Sequence, residues 1–129
     1  MNFREKIERR REIDNPEPAN TNKQDESFDT PYFGVENLRN HLACLDLRFA
    51  DGNRKALPYS YIMEINFDAT DGIEIITATK KITITGRELG KLYDYLAVYR
   101  VKYIQAHIGT NTNENGLFVK EITVEEYSR

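Results

Sequence analysis

Hydrophobic and polar residues alternate along four short segments in the middle of the chain. These segments are residues 42–49, 59–67, 73–77 and 81–85. A period of two is typical of β-strands with one buried face. The connections between them are short and contain turn sequences such as Asp51-Gly52 and Asp71-Gly72, which favour antiparallel pairing of neighbouring strands.

From residue 87 the hydrophobic spacing becomes that of a helix. One apolar stripe at i, i+3, i+4 and i+7 consists of Leu89, Leu92, Tyr93 and Leu96. Thr85 and Glu88 have the S/T-x-x-E spacing of a capping box, in which each side chain accepts a hydrogen bond from a backbone amide at the helix start. The pattern predicts a helix over residues 87–99. A last strand is predicted over residues 101–106, which are β-branched and aromatic in character.

The predicted fold class is α+β. We expect a curved antiparallel sheet of about five strands, in the order β-β-β-β-α-β, with one helix packed on it. A small β-barrel is the alternative, because a sheet that closes on itself also buries its second face. Alternation places Tyr61, Met63, Ile65 and Phe67 on the inner side of their strand, and we expect Cys44 to be a half-buried core residue.

Composition divides the chain into three parts. Residues 1–30 are rich in charge, contain Pro16 and Pro18, and offer little to bury, so we expect a disordered segment. Residues 31–107 hold most of the Leu, Ile, Val and Tyr and form the predicted folded domain. Residues 108–129 comprise a polar linker and then residues 117–124, which we interpret as a terminal strand or as a tail that pairs with a sheet edge.

The sequence contains no catalytic, metal-binding or nucleotide-binding motif of recognised spacing. The two histidines, His41 and His107, and the single cysteine, Cys44, make an enzyme or a metal centre only if the fold brings them together. We therefore predict no catalytic residues, no metal and no cofactor. The N-terminus lacks the apolar core of a signal peptide, and no apolar run reaches bilayer length, so we expect a cytoplasmic protein without membrane contact.

A cluster of basic residues lies between positions 80 and 102. Its members are Lys80, Lys81, Arg87, Lys91, Arg100 and Lys102. Tyrosines 93, 95, 99 and 103 are interleaved with them, and proteins that bind single-stranded nucleic acid combine cations with aromatic platforms. The formal net charge of −3 opposes this hypothesis. Weak binding of single-stranded nucleic acid or of an anion is therefore the alternative function.

The leading functional prediction is a non-enzymatic interaction module. One short helix shields only part of a sheet, and further apolar side chains, including Ile62, Ile76 and Ile104, fall on the alternate positions. Apolar surface left over after folding usually marks an interface. We expect a homo-oligomer or binding to a protein partner.

Residues 57–104 resemble a family of small bacterial proteins of unknown function. The resemblance lies in the segments LPYSYI, ITATKKITITGRELGKLYDYL and YRVKYIQ. It covers less than half of the chain. It implies no activity, and it assigns no site residues.

Overall fold

The computed structural model describes residues 26–109 and 116–127. Within these residues there is one helix, α1 (Gly90–Ala97), and one 3₁₀ turn (Tyr59–Tyr61). The strands are β1 (Phe28–Asp29), β2 (Phe33–Val35), β3 (Cys44–Arg48), β4 (Arg54–Pro58), β5 (Ile62–Asp68), β6 (Gly72–Thr77), β7 (Lys80–Arg87), β8 (Val101–Gln105) and β9 (Phe118–Glu126).

The predicted α+β class is confirmed, but the strands form two sheets rather than one. The first sheet has the order β1-β2-β8-β3-β4, and the second has the order β5-β6-β7-β9. Neither closes into the barrel that we considered as the alternative. The division arises after β4, where Pro58 cannot donate to a ladder and the 3₁₀ turn carries the chain from the first sheet into the second.

The first sheet is mixed, because β8 lies between two strands that come much earlier in the chain. β8 pairs antiparallel with β2 and parallel with β3. The second sheet is entirely antiparallel, with β5, β6 and β7 as a meander and β9 added beside β7. β9 overlaps residues 117–124, which we interpreted as a terminal strand or as a tail that pairs with a sheet edge.

The two sheets and the helix enclose one hydrophobic core. Leu45 and Leu47 of β3, Ile75 of β6 and Leu92 of α1 are among its fully buried members. Burying a leucine or isoleucine side chain contributes about 1.5–3 kcal/mol, so this shared core is the main stabilising element of the fold. α1 contacts β5 of one sheet and β8 of the other. It therefore packs against both sheets.

The helix is shorter than the predicted 87–99, and the capping box is absent. β7 continues to Arg87 because its end pairs with β9, with Arg87 opposite Phe118, so Thr85 remains extended and cannot cap a helix. The helix begins instead at Gly90, without a side-chain cap. At its other end, the amides of Tyr99 and Arg100 donate to the carbonyls of Leu96 and Tyr95 in a Schellman arrangement.

Glu88 adopts a left-handed backbone conformation between β7 and α1. Its φ is 53°, and its side chain is exposed. This conformation costs a non-glycine residue about 1–2 kcal/mol, whereas glycine adopts it freely but loses more chain entropy on folding. We expect Glu88→Gly to raise the free energy of unfolding by about 0.5–1 kcal/mol. Urea denaturation measures the change. The control Asp94→Gly, in the middle of α1, should lower stability, and equal losses in both variants would contradict the prediction.

Three predicted orientations are wrong. Tyr61 and Met63 are exposed rather than inward, because a bulge between Ile62 and Glu64 interrupts the alternation of β5. Phe67 contacts Tyr93 of α1, with 5.7 Å between ring centres, but it is 42% exposed because β5 lies at a sheet edge. Cys44, predicted as half-buried, is also exposed.

The predicted disordered segment, residues 1–30, lies outside the described residues except for its last five, and these include β1. Within the described residues, no helix has the length and apolar character that crossing a membrane requires.

Candidate functional site

Three of the six predicted binding cations lie on β7. Lys81 is half-buried on the outer face of the second sheet, where its Nζ lies 3.6 Å from a carboxylate oxygen of Glu74 and 3.9 Å from one of Glu125. Lys80 donates to the hydroxyl of Thr79 at the strand start. Arg87 lies at the opposite end of the strand, with its guanidinium 4.6 Å from the centre of the Phe118 ring. β7 therefore separates these cations along its length.

The other three cations lie on α1 and β8 or between them. Lys91 is exposed on α1, and Nζ of Lys102 forms an ion pair of 2.9 Å with Asp29. Arg100 is buried, and its Nε donates to the carbonyl of Glu36 at 3.0 Å. Arg100 is therefore a structural residue, which ties the loop after β2 to the end of the helix.

The tyrosines that we considered as stacking platforms make contacts within the fold. Tyr103 donates its hydroxyl to the carbonyl of Thr30 at 2.7 Å, and the guanidinium of Arg48 lies 4.1 Å from its ring centre. Burial, and then the charge of Asp29, raise the pKa of the Tyr103 phenol. Tyr95 is half-buried and lies edge-on to Phe28 at 5.5 Å. This arrangement does not favour stacking of bases on either ring, and nucleic-acid binding stays a prediction.

The three residues on which an enzyme would depend have different surroundings. His41 and Cys44 are exposed, whereas His107 is half-buried. Nδ1 of His107 lies 3.0 Å from the Tyr32 hydroxyl, and its ring packs 4.9 Å from that of Phe118. Across residues 26–109 and 116–127, no three His, Cys, Asp or Glu side chains are grouped to hold a metal ion.

A cluster of charged residues lies on the outer face of the first sheet. Asp46 accepts from Nε of Arg48 at 2.9 Å and from Nε and Nη2 of Arg54 at 3.3 Å and 2.6 Å. Burial acts to raise the pKa of Asp46, but the hydrogen bonds from Arg54 and Arg48 outweigh it and hold the pKa below its usual value. The two arginines more than offset the charge of Asp46, so the cluster has one net positive charge and gives that face a polar character.

The isoleucines that suggested surplus apolar surface are largely covered within the chain. Ile104 is fully buried, because the two sheets share one core. Ile62 and Ile76 are half-buried. A second sheet, which the sequence pattern did not predict, covers the face that we expected to need a partner. The exposed apolar surface lies elsewhere.

Three exposed apolar side chains lie on β5 and the turn that precedes it. Met63 is 71% exposed, Tyr61 is 64% exposed and Phe67 is 42% exposed. Tyr61 and Met63 also line a cleft of about 450 Å³ with the β6–β7 turn. β5 forms one edge of the second sheet, and within the described residues no strand pairs with its outer side. We call the outer side of residues 61–67 the β5 edge.

Comparison of the chain with protein-family models, with curated proteins and with solved structures gives no significant match. The resemblance of residues 57–104 to small bacterial proteins therefore stays a prediction.

Proposed function

We propose that this chain is a non-enzymatic interaction module that self-associates through the β5 edge. The observation that carries the proposal is an edge strand of seven residues with the strongly exposed Met63 at one end and Phe67 at the other. Unpaired backbone groups on such a strand are a template for another strand, and exposed apolar side chains add affinity. A second copy of the chain brings the same strand.

The other three sheet edges are better protected against such pairing. β1 has only two residues. β4 carries Arg54, Lys55 and Pro58, and charge and proline both discourage strand addition. β9 is long but contains Lys120, Glu121, Glu125 and Glu126. β5 also has two acidic residues, Glu64 and Asp68, and a bulge, but among the described strands it is the edge with the most exposed apolar side chains.

The sequence of β5 is compatible with antiparallel pairing about a two-fold axis. If Ile65 lies on the axis, Glu64 of one copy is opposite Asn66 of the other, and Met63, the extra residue of the bulge, lies near Phe67 of the other copy. No like charges then face each other directly. A register centred on Asn66 would place Glu64 opposite Asp68, which is unfavourable because both are acidic. The first register joins two four-stranded sheets into one continuous sheet.

The test is the oligomeric state of the chain and of a charged edge variant. We expect sedimentation velocity to show a dimer at a concentration of about 100 µM. Met63→Lys should weaken dimerisation by about tenfold or more, because each copy loses an apolar contact at the two-fold interface. The melting temperature of Met63→Lys should stay close to that of the parent monomer, since this side chain is largely exposed.

Thr123→Lys is the matched control. It places the same charge at an exposed position of β9, the other edge of the second sheet, and should leave the dimer unchanged. A wild-type chain that sediments as a monomer at several times this concentration would refute the proposal. Equal weakening by both substitutions would show that the contact is not at β5.

A further inference from the structure

The guanidinium of Arg87 has two buried nitrogens that find no hydrogen-bond partner in the described part of the chain. These atoms are Nε and Nη2, and no ion pair to Arg87 occurs among the described residues. Stacking on the Phe118 ring, 4.6 Å away, holds the group in place. Buried charged donors are nearly always hydrogen-bonded, so this pair of atoms calls for an explanation.

Another arginine of the same chain shows what this pair of nitrogens binds. Nε and Nη2 of Arg54 donate side by side to the two carboxylate oxygens of Asp46, at 3.3 Å and 2.6 Å. We call this pair of parallel N–H donors, Nε and Nη2, the fork of an arginine. Its spacing matches that of the two oxygens of a carboxylate. Arg87 presents the same fork, and its complement is an oxyanion with two oxygens in one plane.

Arg87 lines a cleft of about 400 Å³ beside the bulge between β7 and β9. The bulge leaves Lys120 as the extra residue of β9, since Thr85 pairs with Glu121 and Gly86 pairs with Val119. Lys120 lines the same cleft and has no ion pair among the described residues. Two cations therefore border one small cleft.

The charges around this cleft sum to zero, which disfavours a ligand with more than one negative charge. Asp71 and Glu121 also line it, so they balance the charges of Arg87 and Lys120. A polyanion such as nucleic acid, or a phosphate dianion, would be repelled by these two carboxylates. A single carboxylate group carries one negative charge, so it is repelled less than a phosphate dianion, and it gains the fork of Arg87.

We propose that this cleft, bordered by Arg87, Phe118 and Lys120, binds a small carboxylate-bearing molecule. The fork of Arg87 donates one hydrogen bond to each carboxylate oxygen, and Lys120 adds a second positive charge. Nε and Nη2 have no contact with solvent, so the guanidinium of Arg87 must turn toward the cleft before a ligand can reach both atoms. This rearrangement opposes binding, and we expect a dissociation constant in the millimolar range, about 1–10 mM for acetate.

The test is titration of the isotope-labelled full chain with sodium acetate, followed by NMR, with sodium chloride at equal ionic strength as the reference. Using the Met63→Lys background keeps the result separate from dimerisation, because this substitution lies on β5 and outside the cleft. We expect saturable shifts of the Arg87 side-chain Nε–H signal and of the Thr85 and Lys120 amides. Linear shifts, or shifts equal to those with chloride, would overturn the proposal.

Variants separate the fork from simple charge. Arg87→Lys keeps the positive charge but removes the fork, and should weaken acetate binding at least tenfold, whereas Arg54→Lys on the first sheet should not change it. Lys120→Gln, at an exposed position, should weaken binding about threefold and remains informative if Arg87→Lys fails to fold. Inorganic phosphate should bind more weakly than acetate. Tighter binding of phosphate would overturn the assignment to carboxylates.

Discussion

Replacing Gly86 with alanine is expected to destabilise the protein by more than about 3 kcal/mol. A Cβ atom at this position would overlap the carbonyl oxygen of Phe118, which belongs to the backbone of the paired strand. A flexible side chain could move away, but this oxygen cannot move unless β9 shifts relative to β7. We expect loss of the ordered contact between these strands and a much lower urea midpoint.

Gly90→Ala provides the control for this prediction. No atom lies within 4 Å of a Cβ built on Gly90, and the residue begins α1, where alanine is the better helix former. Its stability should therefore be unchanged or slightly higher. If Gly86→Ala unfolds at the same urea concentration as Gly90→Ala, the backbone of β9 does not approach Gly86 as closely as described here.

Replacing Tyr59 with alanine is expected to cost about 3–5 kcal/mol, the usual loss when a large buried aromatic side chain is truncated. The ring is buried and stacks on Tyr99 with 4.7 Å between ring centres, and its hydroxyl donates to the carbonyl of Val101 at 2.8 Å. Tyr59→Phe keeps the ring and should cost about 1 kcal/mol for the lost hydrogen bond. Tyr127→Ala, at an exposed ring, should have little effect.

The same tyrosine predicts a loss of stability at alkaline pH. Burial raises the pKa of the Tyr59 phenol well above its ordinary value of 10.0, so the folded state keeps the proton that the unfolded state releases. The stabilising contribution is complete below about pH 10 and falls as the pH rises beyond it. Melting temperatures between pH 8 and pH 11 should therefore decline more steeply for the wild type than for Tyr59→Phe. Parallel curves would show that Tyr59 is accessible to solvent.

Local patterns predicted the individual elements better than their arrangement. The alternation that buries Leu45 and Leu47 also places Cys44 on the outer face with Asp46, although we expected a core cysteine from its residue type alone. β4 carries two basic residues, alanine and proline, so it has no strand pattern of its own and depends on pairing with β3. Short neighbouring strands suggested a single sheet, but pairing across long sequence separations divided them between two.

The candidate sites depended on three-dimensional facts that composition does not contain. Arg87 was singled out with five other cations, yet only the register of β7 against β9 shows that Lys120, far away in sequence, lies beside the same cleft. Met63 was predicted to be buried because it fits the alternation of its strand. A one-residue bulge and an edge position reverse that expectation, and neither has a signature in residues 59–67.

The central position of β8 has a consequence for the order of events during translation. The β5–β7 meander can pair as soon as its residues leave the ribosome, because its strands are consecutive. β2 and β3 must wait for β8, whose last residue is Gln105, before they are joined. Until then, the apolar side of the β3–β4 hairpin stays exposed in the nascent chain, because its neighbouring strand β8 has not yet been made. This interval is when chaperones would be most needed, and chains that end before β8 should aggregate rather than accumulate as folded fragments.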